Sequence, residues 1–277
     1  IGYGGFLDQS WSVVTEGTET IGGESVATRD LVESTGGIAQ VRLTLAYQLL
    51  PSLAVGVSGG TFTGRIDRTF RRTFPDSAGP ILDSFEAAIR HQFTAPLAVV
   101  GLRWDPAGDV RLAGSLAWAG ELHAEAASGP EDDRRYDMPL KATVGASATL
   151  ASDLLGVVGF EWSGWESMES AFEADDAVGD VWTIGGGLEW DGGRLGERTL
   201  PLRTGFRYGR LPFTLGGESV REWSGSLGAG FWFAGDPDQP IAVLDAVIER
   251  GARGEAVRNG VAEDFWRATV SLALFGF

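Results

Sequence analysis

Apolar and polar residues alternate with a period of two through most of the chain. From Val110 to His123, the residues Val110, Leu112, Gly114, Leu116, Trp118 and Leu122 take one face. Arg111, Ala113, Ser115, Ala117, Ala119, Glu121 and His123 take the other. The same division sets Val41, Leu43, Leu45 and Tyr47 against Arg42, Thr44, Ala46 and Gln48, and Trp266, Ala268, Val270 and Leu272 against Arg267, Thr269 and Ser271. Successive side chains of a strand point to opposite sides, so this period predicts strands with one apolar and one polar face. Helical spacing is almost absent.

The pattern predicts about twelve strands, near 5–16, 25–49, 53–65, 85–104, 110–125, 139–151, 154–165, 180–190, 200–210, 221–233, 241–250 and 264–277, the second breaking at Gly36-Gly37. Mostly tight turns, such as Pro51-Ser52 and Ala151 to Asp153, alternate with longer, more charged connections near 66–84, 126–138, 166–179, 211–220 and 251–263. That order predicts an all-β, up-and-down antiparallel meander forming a single domain over residues 1–277.

Alternation alone fits any half-buried sheet, including a soluble sandwich whose apolar residues point inward. Three features favour a transmembrane β-barrel with the apolar face toward lipid. The polar faces carry Arg103, Arg111, Lys141, Glu161, Glu189, Arg203, Arg207, Asp245, Glu249 and Arg267 among Gly and Ser, as suits a wet, crowded lumen. Aromatic residues gather at strand ends: Tyr47, Trp104, Trp190 and Phe231-Trp232-Phe233 beside the tight turns, and Trp162, Trp165, Trp182, Trp223 and Trp266 near the opposite ends. Amphipathic rings favour the two membrane–water interfaces. The last strand ends in Phe275-Gly276-Phe277, like terminal strands of outer-membrane proteins, with Phe277 out of register through a bulge or a frayed end.

Composition then falls into place. No apolar stretch is long enough for a membrane helix, but a barrel spends only alternate residues on lipid. The 41 Gly become lumen and turn residues, and the 10 Trp become interface girdles. A net charge of −16 argues against nucleic acid or an anionic membrane surface as the main partner, and the absence of Cys excludes disulfides and thiolate metal sites. The first residue is Ile1, with no leader after it.

Catalytic patterns are missing. His91 and His123 are the only histidines, both inside predicted strands, and neither a nucleophile–His spacing nor a phosphate-cradling loop is present. Gly185-Gly186-Gly187 lies within a strand, where glycine gives room or a bend. The acidic loops around Glu131-Asp132-Asp133 and Glu173, Asp175, Asp176 and Asp180 could bind divalent cations beside lipopolysaccharide, but their spacing matches no calcium loop and solvated charge is the better reading. The expectation is a protein without enzymatic activity, cofactor or metal.

The run from Gly37 to Val57 (GIAQVRLTLAYQLLPSLAVGV) resembles the periplasmic hairpin of FadL-type long-chain fatty-acid and hydrophobic-compound transporters. Phe93 to Trp118 is similar to the family's next hairpin. Arg207 to Phe213 (RYGRLPF), Glu218, Ser226 to Gly230 (SLGAG) and Glu263 to Leu272 (EDFWRATVSL) resemble its closing strands. The similarity covers roughly residues 36 to 277 and rests on the order of hairpins. It implies a fourteen-stranded barrel with an N-terminal hatch, acting as a passive conduit. The chain departs from that pattern in having twelve predicted strands and no hatch-like start, so the expectation is that a hatch and about two strands precede Ile1.

The family's surface-groove loop aligns with Arg65 to Phe85. The resemblance therefore implies a ligand strip at Ile66, Phe70, Phe74, Ile81, Leu82 and Phe85, flanked by Arg71 and Arg72, which suit a carboxylate head or lipopolysaccharide phosphate. Packing of these apolar residues onto the barrel rim is the plainer alternative. The implied setting is the outer membrane of a Gram-negative-type bacterium. Expected partners are outer-membrane lipid and lipopolysaccharide, a hydrophobic small molecule, and the barrel-assembly machinery through the strand ending at Phe277. Two other functions fit the pattern: a general or ion-selective pore, and a structural or adhesive barrel with a salt-bridged lumen.

Overall fold

A computed structural model describes residues 1–74, 82–129, 132–166, 178–196, 198–236 and 239–274. Almost all of them are strand. The strands are β1 (Gly2–Asp8), β2 (Trp11–Ile21), β3 (Glu24–Leu50), β4 (Leu53–Thr73), β5 (Phe85–Ala107), β6 (Val110–Ala119), β7 (Leu122–Ser128), β8 (Arg134–Tyr136) and β9 (Lys141–Ala151). They continue with β10 (Leu154–Ser163), β11 (Val181–Trp190), β12 (Arg194–Leu195), β13 (Arg198–Thr199), β14 (Leu202–Leu215), β15 (Glu218–Asp236), β16 (Gln239–Arg253) and β17 (Glu263–Leu274). One short helix, α1 (Ala256–Asn259), precedes β17. The hydrogen-bonded order is β1-β3-β4-β5-β6-β9-β10-β11-β14-β15-β16-β17, with β2 on β3, β7 on β5 and β8 on β7. Every pairing described is between antiparallel strands.

The twelve strands of that order answer to the twelve predicted ones, with instructive corrections. The first predicted strand is two, β1 and β2, both laid against β3. The break falls where Ser10 N donates to Asp8 Oδ1 at 2.9 Å. β3 runs unbroken through Gly36, but its partner changes there: Ser34 opposes Trp11 of β2, and Gly37 opposes Asp8 of β1. Gly36 has φ +106°, and a Cβ on it would lie 2.1 Å from the Arg65 carbonyl oxygen. Only glycine serves at that position.

The predicted strand 110–125 is also two, because Gly120 leaves the ladder and donates to the Pro96 carbonyl at 3.0 Å. The predicted loop 211–220 is mostly strand. Leu215 faces Glu218 across Gly216-Gly217, whose φ values of 63° and 79° make a tight hairpin turn. β4 and β16 likewise extend into regions predicted as loop, reaching Thr73 and Arg253. The aromatic terminus, Phe275 to Phe277, lies outside the described residues.

The described chain forms two compact units. The first comprises residues 1–45, 58–98 and 119–138. It buries Ile38, Phe62, Ile66, Ala95, Leu97, Leu122 and Ala124, and Phe6 packs on Phe62 with ring centroids 4.7 Å apart. The second unit comprises residues 46–57, 99–118 and 139–277. Its larger apolar side chains stand in the open: Val144, Val158, Ile184, Phe206, Leu227, Ile248 and Val270 are all more than half exposed. An exposed apolar sheet of that kind is foreign to soluble monomers.

Candidate functional site

The chemistry of the second unit lies on the sheet face opposite those exposed residues. Register places it there. Glu189 of β11 is directly opposite Arg203 of β14, Arg203 is opposite Gly228 of β15, and Gly228 is opposite Val247 of β16. The arginine fork therefore passes over a bare glycine strand. Arg203 Nε donates to Glu189 Oε2, and Nη1 reaches Asp245 Oδ1 two strands away. A Cβ on Gly230 would sit 2.7 Å from that Asp245 oxygen and 3.3 Å from Arg203 Nη1, so a small residue there opens the route.

A second network spans β14 to β17. Arg207 Nη2 donates to Glu222 Oε1 at 3.0 Å and to Glu249 Oε1 at 3.2 Å, while Arg267 Nη1 donates to Glu249 Oε2 at 3.0 Å. Arg253 closes the set, 3.2 Å from Glu222 and 3.6 Å from Glu263. Ser224 and Ser226, the cross-strand neighbours of Arg207 and Glu249, and Gly251 opposite Ser224 keep the space clear. Phe265 lies over Gly251, between the guanidinium groups of Arg253 and Arg267 at 5.0 and 5.5 Å.

Elsewhere in this unit, Lys141 pairs with Glu161 at 2.8 Å, and Asp105 takes Arg103 at 3.4 Å and Arg111 at 3.2 Å. All ten polar-face residues expected from alternation are therefore ion-paired in this unit. Sequence reasoning missed four partners: Asp105, Glu222, Arg253 and Glu263. Asp105 lies in a predicted turn, and Arg253 and Glu263 lie past predicted strand ends. Glu222 was legible, since it shares the parity of Ser224 and Ser226.

The paired set holds seven cations (Arg103, Arg111, Lys141, Arg203, Arg207, Arg253, Arg267) and seven carboxylates (Asp105, Glu161, Glu189, Glu222, Asp245, Glu249, Glu263). Its fixed charge cancels. Between Glu161 and Arg207 the floor is nearly bare: Gly159, Gly185, Gly187 and Gly205 leave an open depression of about 520 Å³.

In the first unit the proposed ligand strip is divided. Ile66 is buried with Ile38 and Phe62, while Phe70 and Phe85 meet at 6.1 Å with Arg72 above the Phe70 ring at 5.9 Å. Phe74 and Leu82 are half-buried, and Ile81 lies outside the described residues. Both arginines already have carboxylate partners. Arg71 meets Glu86 at 2.8 Å. Arg72 grips Asp30 with two bonds of 2.7 and 2.6 Å and touches Glu19 at 3.4 Å. Among the described residues no cluster of three or more His, Asp or Glu is arranged to hold a metal ion.

Such an arrangement, with large apolar side chains exposed on one sheet face and paired charges on the other, is the inverse of a soluble protein. Solved structures show the same architecture. A crystal structure of a Pseudomonas aeruginosa FadL homologue superposes with a TM-score of 0.57 at 15% identity, over 94% of this chain and 75% of that one. The Ralstonia pickettii toluene transporter TbuX matches with a TM-score of 0.51 at 12% identity, over 98% of this chain and 88% of that one. The chain has the FadL-type β-barrel fold. No protein-family model matches it, and no curated protein matches in sequence.

Proposed function

We propose that the protein is an outer-membrane channel of a Gram-negative-type bacterium for passive uptake of hydrophobic small molecules, long-chain fatty acids or aromatic hydrocarbons. The observation that carries this reading is the inverted sheet on a FadL-type fold. The apolar face suits lipid, and fourteen charges on the opposite face of the second unit are mutually neutralised, so an apolar solute meets compensated ion pairs there. The strip at Phe70, Phe74, Leu82 and Phe85 supplies an apolar landing surface in the first unit. Arg71 and Arg72 are engaged by Glu86 and Asp30, so a fatty-acid carboxylate competes with the chain's own carboxylates, whereas a hydrocarbon does not. That favours uncharged cargo.

The compensated ion pairs also support a second reading, a structural barrel closed by its own salt bridges. One experiment separates the two. The full-length protein is expressed in a host lacking its own uptake channels, and entry of radiolabelled toluene and oleate is measured with planar-bilayer conductance on the purified protein. Uptake above the empty-vector control without ion conductance is expected. No uptake and no conductance overturns the channel and favours the closed barrel, while conductance without uptake favours a general pore.

A further inference from the structure

The exposed face of the second unit carries arginines whose situation differs from all those above. Arg210 of β14 and Arg221 of β15 are directly opposite one another in the ladder, a like-charge pair with an inherent cost. Neither has a carboxylate within ion-pair distance among the described residues. Arg221 Nη1 donates only to the neutral Tyr208 hydroxyl at 3.1 Å, and Arg210 Nε is buried without a hydrogen-bond partner. Their side chains share the parity of Phe206 and Leu227, which are 55% and 64% exposed, so they belong to the apolar face and not to the ion-paired one.

Aromatic rings accompany them. Trp182 opposes Arg210 in the ladder and meets Tyr208 edge-on at 5.6 Å, and Trp223 opposes Tyr208. Beside them a pocket of about 200 Å³ is lined by Tyr208, Arg221, Trp223, Glu218, Glu255 and Arg258. Arg258 is held by Glu255 at 3.4 Å. Buried Asn259 fixes the position of α1, donating to the carbonyls of Leu215 and Glu218 and accepting from Glu255 N. The pocket is thus framed by structure, and Arg221 is its one cation without a carboxylate partner.

We propose that Arg210 and Arg221, with Tyr208 and Trp223, form a docking site for the phosphate head group of an anionic membrane lipid whose acyl chains lie along the exposed face below. The Arg221 fork keeps donors beyond the one given to Tyr208 and matches a phosphate, and Arg210, its ladder neighbour with its guanidinium against Gly179, adds a second positive charge, so a bound phosphate would relieve the like-charge cost. Continuity with the apolar face selects a lipid over a free anion. The inference rests on the reading that this face meets lipid.

The test uses the full chain reconstituted into phosphatidylcholine vesicles with and without a minor fraction of the phosphorylated glycolipid lipid A, scored by vesicle flotation and by native mass spectrometry of retained lipid. Wild type is expected to insert in both and to retain lipid A, with R210Q/R221Q inserting equally but retaining about tenfold less. R210K/R221K, which keeps the charges and loses the forks, should fall between. Insertion with equal retention by wild type and R210Q/R221Q overturns the site alone. Failure of wild type to float with either vesicle overturns the membrane reading beneath it. Displacement of lipid A by inorganic phosphate as effectively as by lipid would show a free-anion site and overturn the lipid assignment.

Discussion

The two units put opposite chemistry on the side of the sheet away from their exposed apolar residues. In the first, Ile38, Phe62, Ile66 and Leu97 form a dry apolar cluster, and Phe6 stacks on it. In the second, that side holds fourteen mutually paired charges over a floor of glycine and serine. The difference teaches that period-2 alternation constrains the lipid-facing residues tightly and the other face loosely. Lipid selects apolar side chains on its face, with Arg210 and Arg221 as exceptions, whereas the opposite face tolerates either dense hydrocarbon packing or charges that cancel. A chain can switch between the two within the length of one sheet.

Deleting an apolar contact from the first unit should have the largest effect. Phe62 is 4% exposed and contacts Phe6, so Phe62→Ala should cost about 3 kcal/mol of folding stability in lipid, with little dependence on salt. Urea unfolding in vesicles at low and high salt checks it, and a loss under about 1 kcal/mol would mean that this cluster is not packed. The counterpart in the second unit is Glu249→Gln. It keeps the shape but leaves Arg207 and Arg267 without their shared carboxylate, whose side chain is 16% exposed. A fully buried broken pair costs about 3–5 kcal/mol, and partial solvation brings the expected loss to about 1–2 kcal/mol. Raising the salt should shrink that loss. Equal salt response of the two variants would erase the contrast between the units.

How much of this was legible in the sequence follows the same division. The strand order and the exposed face were readable because one rule, alternation, governs them, and the ten polar-face charges came with it. Their partners were harder, since pairing depends on register across strands. Arg203 meets Asp245 only because β15 presents Gly228 and Gly230 between them. Breaks in the ladder were half visible. Pro96 has no N–H and so marks an irregular ladder position, but nothing local says that β7 resumes pairing with β5 after Gly120. The resemblance implies a loop for the ligand strip, yet residues 66–72 belong to β4, whose arginines find acidic partners on β3 and β5. Arg210 and Arg221 escaped notice altogether. Their alternation parity marked them as outward, against the expectation that charge turns inward.

The smallest expected effect concerns a two-bond ion pair of the first unit, Arg72 with Asp30. Asp30 lies about 20 residues before the β3–β4 turn, roughly 65 Å along the strand, beyond the reach of a hydrocarbon core about 25–30 Å thick. The two-bond grip of Arg72 holds the Asp30 carboxyl below the usual carboxylate range, outweighing slight desolvation that acts the other way. A depressed folded value means that the stabilisation is fully present above the unfolded value of about 3.9, and is lost as pH falls through the folded one. Hydrogen exchange of residues 24–33 and 67–73 should therefore be unchanged between pH 7 and 5 after correction for intrinsic rates, and should quicken only below about pH 4. Asp30→Asn should show the quickened exchange already at pH 7 and respond less to acid. Loosening between pH 7 and 5 would point to a titrating histidine instead, and would sink the assignment to this pair. If exchange behaves as expected while Phe62→Ala still destabilises the unit as a whole, the first unit is held by its apolar cluster and only trimmed at its end by charge. The second unit, whose polar face carries fourteen paired charges, should show the opposite order of importance.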